Sequence, residues 1–270
     1  MSLLNNTWMM NWINSLQINM VDSGYAALGS EWRRDNVCSP YTRVYYIHHG
    51  EGYALFGGEK QLLRQGHMYL IPIGFQYAYG CDAHMDQLFF HVVIPQPNGR
   101  DLFAQCSRCF ELPCPQREID RLVKLYRSPD MADAMRVLEA LYRDIAAFVQ
   151  MGGMAAKPAY AYSELLQRLF PLVKAKLSNR LTVMQLADEL NVSQSTLAKR
   201  FRAEVEMPLG AYIDTMLFQK AQQLLLFTDD SIGAIADDLG FCDQFYFSRY
   251  FKNHQKQTPS QYRRASKLGG

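Results

Sequence analysis

No apolar run in this chain of 270 residues approaches the roughly 18 needed to cross a bilayer as a helix, so no membrane partner is expected. The first twenty residues scatter Asn and Gln among their apolar positions and place no basic stretch before them, which argues against a secretory leader. Cysteine is sparse: six residues, at positions 38, 81, 106, 109, 114 and 242. Without an export signal they are expected to be reduced thiols, and the protein cytoplasmic. Cys106, Cys109 and Cys114 have a zinc-like spacing, but no second close pair comes after them to close a structural site, so ordinary thiols are preferred. Low-complexity tracts and long single-sign charge blocks are missing too. The net charge of +2 says little until it is divided. Before residue 160, fourteen Lys and Arg face fifteen Asp and Glu, net −1; from 160 onward fourteen face eleven, net +3. The positive balance lies where phosphate binding would need it if the C-terminal part meets DNA.

That part carries two helix-turn-helix patterns. The first reads Leu186-Ala187-Asp188-Glu189-Leu190-Asn191-Val192-Ser193, continuing with Gln194 through Arg202. The second reads Ile235-Ala236-Asp237-Asp238-Leu239-Gly240-Phe241-Cys242-Asp243, continuing with Gln244 through Lys252. The first helices are offset by 49 positions and the second helices by 50, so the second turn is one residue longer. Ser193 and Asp243 are suited to cap the helices they precede. Leu197 with Phe201, and Phe247 with Phe251, stand four apart and mark buried faces. Gln194, Ser195, Ala198, Lys199 and Arg202 fall on the other side of the first helix, and Gln244, Phe245, Ser248, Arg249 and Lys252 on that of the second. Amides for adenine edges, a guanidinium for guanine or phosphate, and a small residue allowing close approach are what a groove-entering face wants. On a single helix such a face is ordinarily just solvated; its repetition after two similar turns favours DNA. Phe245 has two readings, contact with a thymine methyl or packing on Tyr246 and the helix between the patterns.

Upstream, residues 26–93 look like short strands. Tyr41 to Ile47 is β-branched and aromatic, Gly50, Gly52, Gly57 and Gly58 punctuate the next stretch, and Gly66 to Ile71 leads into a Pro72-Ile73-Gly74 turn. Gln87, Phe89 and His91 alternate with Leu88, Phe90 and Val92, so the two sets should face opposite sides of a sheet. From 116 to 149 the period becomes helical, with stripes at Ile119, Leu122, Val123 and Tyr126, and at Val137, Leu138, Leu141, Tyr142, Ile145 and Phe148. Ser128-Pro129-Asp130 separates them. These stripes serve packing within the domain, a dimer interface, or both. Gln150 to Pro158 is small and breaker-rich and reads as a linker. Beyond it lie an amphipathic helix around Leu165 to Val173, a spacer helix from Tyr212 to Phe227, and Ser231 suited to cap the helix after it.

Residues 160–270 resemble the DNA-binding domain of the AraC/XylS family of bacterial transcription regulators. The resemblance rests on Ser231-Ile232-Gly233-Ala234-Ile235-Ala236-Asp237-Asp238-Leu239-Gly240-Phe241, Phe247-Ser248-Arg249-Tyr250-Phe251-Lys252 and Thr258-Pro259-Ser260-Gln261-Tyr262-Arg263, with Leu186-Ala187, Val192-Ser193 and Phe201-Arg202 upstream. Glu206 departs from the family's usual glycine, and Leu217 from its usual arginine. Residues 26–93 resemble the family's cupin-like regulatory domain: Gly66, Pro72-Ile73-Gly74 and Tyr77 match the second cupin motif, with Tyr77 in place of a metal-binding histidine. His48 and His49 are adjacent, whereas a spaced His-x-His pair would set two imidazoles on one strand face, so no metal or other cofactor is expected. The resemblance implies a small-molecule pocket and puts Arg34, Tyr79, Gln87 and Phe89 near sugar-contacting positions of arabinose-type members. His91 shares the strand face of Gln87 and Phe89. An aromatic core that binds nothing is the rival reading.

The expected fold class is α+β multidomain, with a cupin-like β-barrel and helical dimerisation segment over 1–150, a linker at 151–159, and an all-α double helix-turn-helix domain over 160–270. The expected function is a non-enzymatic, ligand-responsive transcription regulator, an activator reading two successive major grooves per monomer. Its expected partners are double-stranded DNA, a small-molecule effector such as a sugar, RNA polymerase by family resemblance, and a second copy of the chain. The alternatives are a metal-dependent cupin enzyme with a DNA-binding tail and an effector-independent regulator.

Overall fold

The computed structural model describes residues 7–153 and 161–267. The chain packs as two units, one formed by 16–95 and 101–156, the other by 1–15, 96–100 and 157–270. The first unit holds β1 (Asn19–Leu28), β2 (Arg33–Val37), β3 (Thr42–Phe56), β4 (Glu59–Arg64), β5 (His67–Ile71), β6 (Tyr77–Gly80), β7 (Met85–Val93) and β8 (Phe110–Pro113). The pairing runs β1-β7-β3-β5-β8, with β4 and β6 also on β3 and β2 on β6, all antiparallel. This path does not return to its first strand, so the expected barrel takes the form of an open sheet among the described residues.

The sheet is organised by β3, which is 15 residues long. Its first part, Thr42 to Gly50, lies against β7, and its last part, Glu51 to Phe56, against β4. Gly50 joins the two parts at φ +70°, and a Cβ there would fall 2.1 Å from the His84 carbonyl oxygen. Only glycine tolerates both conditions. Just before it, Ile47 faces Gln87 and His49 faces Asp86, which leaves His48 as the extra residue of a β-bulge.

The alternation along β3 and β7 resolves as the sequence implies. Val44, Tyr46, Leu88, Phe90 and Val92 pack with Ile119, Leu122 and Val123 of α2 (Gln116–Tyr126) and Val137, Leu141, Ile145 and Phe148 of α3 (Met131–Gly152). Tyr45, Ile47, Tyr77 and Tyr79 form a second core, against which Trp32 and Phe89 pack. The Asp130 carboxylate caps α3 by accepting from the Ala132 and Asp133 amides at 2.6 and 3.3 Å. Gln150 to Gly152, expected in the linker, instead continue α3, which stops only where Gly153 turns left-handed at φ 59°. Residues 154–159 of that expected linker lie outside the described residues. The second stripe of the sequence divides: Val137, Leu141, Ile145 and Phe148 are buried, while Leu138 and Tyr142 are exposed along with Met131 and Met135.

The second unit is helical. It contains α1 (Thr7–Ser15), α4 (Glu164–Lys176), α5 (Val183–Glu189), α6 (Gln194–Val205), α7 (Leu209–Phe227), α8 (Ile232–Asp238), α9 (Gln244–Gln255) and α10 (Pro259–Lys267). Two cores divide it. Leu166, Leu169, Val173, Leu186, Leu197 and Phe201 form the first with Leu209, Tyr212 and Ile213 of α7. Ile235, Leu239, Phe247, Phe251 and Tyr262 form the second with Leu217, Ala221 and Leu225 of the same helix. The 19 residues of α7 span about 28 Å at 1.5 Å per residue. No described helix is long and apolar enough to cross a membrane.

Candidate functional site

Each helix-turn-helix is fixed at its turn by backbone chemistry. Thr182 opens α5 with a capping box: its hydroxyl accepts from the Gln185 amide, and the Gln185 side chain accepts from the Thr182 amide. Asn191 then turns at φ 55°, a conformation asparagine tolerates. Ser193 caps α6 by accepting from Thr196 N at 3.1 Å. In the second unit Ser231 caps α8 through Ala234 N at 3.0 Å, Gly240 turns at φ 77°, and Asp243 caps α9 through Tyr246 N at 2.6 Å. The bond from Tyr246 N holds the exposed Asp243 carboxyl below its ordinary pKa, so the cap stays ionised. The longer second turn comes from the extra residue between Leu239 and Gln244.

These caps set the rotation of α6 and α9. Leu197, Phe201 and Val205 are buried from α6, and Phe247, Phe251 and Gln255 from α9. The opposite faces then carry the expected residues. Gln194, Ser195, Lys199 and Arg202 are exposed with Ala198 half-buried between them; Gln244, Phe245, Arg249 and Lys252 are exposed with Ser248 half-buried. At these five positions the two helices present the same pattern of exposure. Phe245 is 68% exposed, so it does not pack on its own domain. Tyr246 instead meets Phe241, with ring centroids 5.5 Å apart, and the Arg249 guanidinium lies 5.9 Å from the Tyr246 ring.

Both departures from the family pattern have a physical setting. Glu206, after α6, sits at φ 62°, where glycine is the unstrained residue; Lys256 occupies the same conformation after α9. Leu217 is 3% exposed within the second helical core, so this chain uses the position for packing.

In the sheet unit, Arg34 of β2 is half-buried and pairs across strands with Tyr79 of β6. Tyr79 is buried and stacks on Trp32 with centroids 4.2 Å apart. Gln87 is buried, and its Oε1 makes no hydrogen bond. His91 stacks on Tyr41 at 4.5 Å and next to Phe89 at 4.9 Å, with Nδ1 3.4 Å from Asp22 Oδ2. Burial pushes the His91 imidazole down to about 4, against the opposing pull of Asp22, so it is neutral near pH 7.

Sequence reasoning does not single out Arg43. The register sets Arg43 opposite His91, Tyr45 opposite Phe89 and Ile47 opposite Gln87, so the guanidinium belongs to the same face. It donates to Tyr45 Oη at 2.8 Å and to Ser39 Oγ at 2.8 Å, and lies 5.4 to 5.9 Å from the ring centroids of Tyr41, Tyr77 and Tyr79. Among the described residues no carboxylate lies within 4.0 Å of it. The hydroxyl of Tyr77, which stands at the cupin histidine position, is buried without a hydrogen bond. A cation held by tyrosine faces and hydroxyls, beside unpaired acceptors and donors, is equipped to bind a polar or anionic group. Period-two parity with Tyr45 and Ile47 is the signal in the sequence that could have found it. The three clustered cysteines do not converge: Cys114 lies in the helix-covered core, while Cys109 packs against the aromatic one.

Residues 186–265 match the family described as Helix-turn-helix domain. The chain is 23% identical to the Msm operon regulatory protein of Streptococcus mutans, over 94% of this chain and 97% of that relative. It is 22% identical to the Lactose operon transcription activator of Staphylococcus xylosus, over 92% and 94% of the two chains. Its fold is similar to that of unsaturated fatty acid bound ToxT from Vibrio cholerae, with a TM-score of 0.54 at 13% identity over 92% of this chain and 95% of that one. A sheet-rich unit joined to a helical unit bearing two helix-turn-helix motifs defines a DNA-binding transcription regulator. Over residues 186–265 the chain carries a helix-turn-helix domain, and the relatives to which it is similar are AraC/XylS-type operon regulators.

Proposed function

We propose that this protein is a cytoplasmic, ligand-responsive activator, without enzymatic activity, that binds DNA as a homodimer and meets RNA polymerase there. Each protomer lays α6 and α9 into successive major grooves, about 34 Å apart along one face of the duplex. Gln194, Ser195, Ala198, Lys199 and Arg202 contact the first groove; Gln244, Phe245, Ser248, Arg249 and Lys252 contact the second. The observation that carries this reading is the matched exposure of α6 and α9 on a shared α7. Activation is favoured by the name of the Staphylococcus xylosus relative. The effector domain spans about 1–150 and the DNA-binding domain about 160–270. Footprinting on operators selected from random DNA tests the geometry: two protected grooves per protomer are expected, and one would refute it.

The effector site lies on the sheet face bearing Arg34, Tyr79, Gln87, Phe89 and His91, now joined by Arg43. Binding there shifts the equilibrium between arrangements of the DNA-binding halves. The guanidinium favours a small molecule with a carboxylate, a phosphate or a dense set of hydroxyls, the last fitting the sugar operons named for the relatives. Thermal shift across sugars, sugar acids and sugar phosphates identifies the class, because a ligand that binds only the native state raises its melting temperature. Arg43→Met should abolish that shift. A panel in which nothing stabilises the protein would favour the effector-independent reading.

A further inference from the structure

The geometry points to a transition-metal site at the bulge of β3, formed by His48, His49 and Asp86. In a regular strand adjacent side chains leave on opposite faces, so neighbouring histidines would not share an ion. The bulge removes that objection. With His48 as the extra residue, the two imidazole rings lie side by side, their centroids 3.9 Å apart. Asp86, the cross-strand partner of His49, adds a carboxylate, and one donor atom from each of the three lies within 4.8 Å of the others. Donors around a tetrahedral zinc stand roughly 3.3 Å apart, given bonds of about 2.0–2.1 Å. Small side-chain rotations therefore close the site.

Two further observations favour an ion. Asp86 Oδ1 is buried without a hydrogen bond; His84 Nε2 is 3.1 Å away but not aligned to donate. A buried carboxylate oxygen in that state is costly unless a cation meets it. His48 is also oriented as metal-bound imidazoles are. Its Nε2 lies 3.0 Å from Asp120 Oδ1 on α2, which Gln116 Nε2 holds at 2.9 Å, while Gln116 also donates to the His48 carbonyl at 3.1 Å. A carboxylate on one ring nitrogen fixes the tautomer and leaves the other as the lone-pair nitrogen, which here accepts from Tyr25 and which an ion would take over by displacing that hydroxyl. That other nitrogen, Nδ1, is 2.7 Å from the Tyr25 hydroxyl, which also interacts with Asp86. Two imidazoles and one carboxylate suit Zn²⁺ and its first-row neighbours and disfavour Mg²⁺ and Ca²⁺, which prefer all-oxygen sets. The site lies where β3 meets α2, apart from the face that carries Arg43, and rests on no assumption about the effector.

Equilibrium dialysis of the untagged full-length protein against Zn²⁺, with metal analysis, tests the proposal. One equivalent per chain should be retained, the melting temperature should rise by several degrees, and Mg²⁺ should do neither. His49→Ala replaces an exposed side chain and leaves the core intact; it should weaken zinc binding at least tenfold, as should Asp86→Asn. Co²⁺ should give the visible absorption of a low-symmetry nitrogen and oxygen site, lost in His49→Ala. No retained zinc, or retention unchanged in His49→Ala with its circular dichroism intact, would overturn the assignment.

Discussion

Phe245 gives the sharpest test of the DNA-binding surface. An aromatic residue buries on the order of 200 Å² when fully covered, and this one is 68% exposed. About 140 Å² therefore remains to be covered, worth at most about 3.5 kcal/mol at roughly 25 cal/mol per Å². A thymine methyl and the neighbouring sugar cover about half of a ring edge-on in a groove, leaving about 1.7 kcal/mol, a loss of roughly fifteenfold in affinity for Phe245→Ala. Fluorescence anisotropy on a selected operator measures it. The slope of log Kd against log salt should not change, because no counterion is released by a phenyl ring. Replacing the contacted thymine by deoxyuridine removes only the methyl share of that contact, about 0.8 kcal/mol or roughly fourfold for wild type, and should cost the variant almost nothing. Arg249→Ala is the contrast: about 1–3 kcal/mol at one base pair if it forks a guanine, or a salt slope smaller by about one if it meets phosphate. Phe245→Ala binding as tightly as wild type, at every salt concentration, would remove the α9 face from the groove.

The stability of the protein offers three more tests. Glu206→Gly relieves a left-handed conformation costing about 1–2 kcal/mol, partly offset by the unfolded freedom of glycine at about 0.5–1 kcal/mol; a gain of a few degrees in Tm is expected, and a loss would contradict the strain argument. Between pH 6.5 and about 4 the unfolded chain protonates His91 while the native protein does not, so stability falls as pH is lowered through that window. In His91→Phe the loss between pH 7 and 5, read by urea denaturation, should be smaller by about 2 kcal/mol, at 1.36 kcal/mol per pH unit below 6.5; an unchanged slope would mean His91 titrates normally. Met131, Met135, Leu138 and Tyr142 recur at helical spacing on the exposed side of α3. Leu138→Glu should shift sedimentation from dimer to monomer with helicity unchanged, and a persistent dimer would move the interface elsewhere.

Much of the helical unit was legible because its signals are local. Ser193, Ser231 and Asp243 cap the helices they precede in the sequence, and Leu197 with Phe201 mark their face by spacing alone. The α3 stripe was less readable: Leu138 shares the apolar pattern of Val137 and Leu141, and only the presence or absence of a neighbouring element distinguishes them. In the sheet, the alternation of β7 revealed its two faces, but Arg43 looks like a surface charge until the register sets it against His91. The bulge at His48 was beyond reach, because a slip of one residue depends on how two distant strands meet. Residues 96–100 belong with the helical unit for a similarly non-local reason.

One consequence of α7 concerns the operator rather than the protein. A single uninterrupted helix supplies both helical cores, so the angle and separation of the two reading heads are written in its residue count. Adding one residue to it would turn one head by about 100° relative to the other and lengthen the strut by only about 1.5 Å. On the proposed two-groove reading, the phase between half-sites in the target DNA is inherited from the length of α7, and promoters under this regulator are bound to keep it.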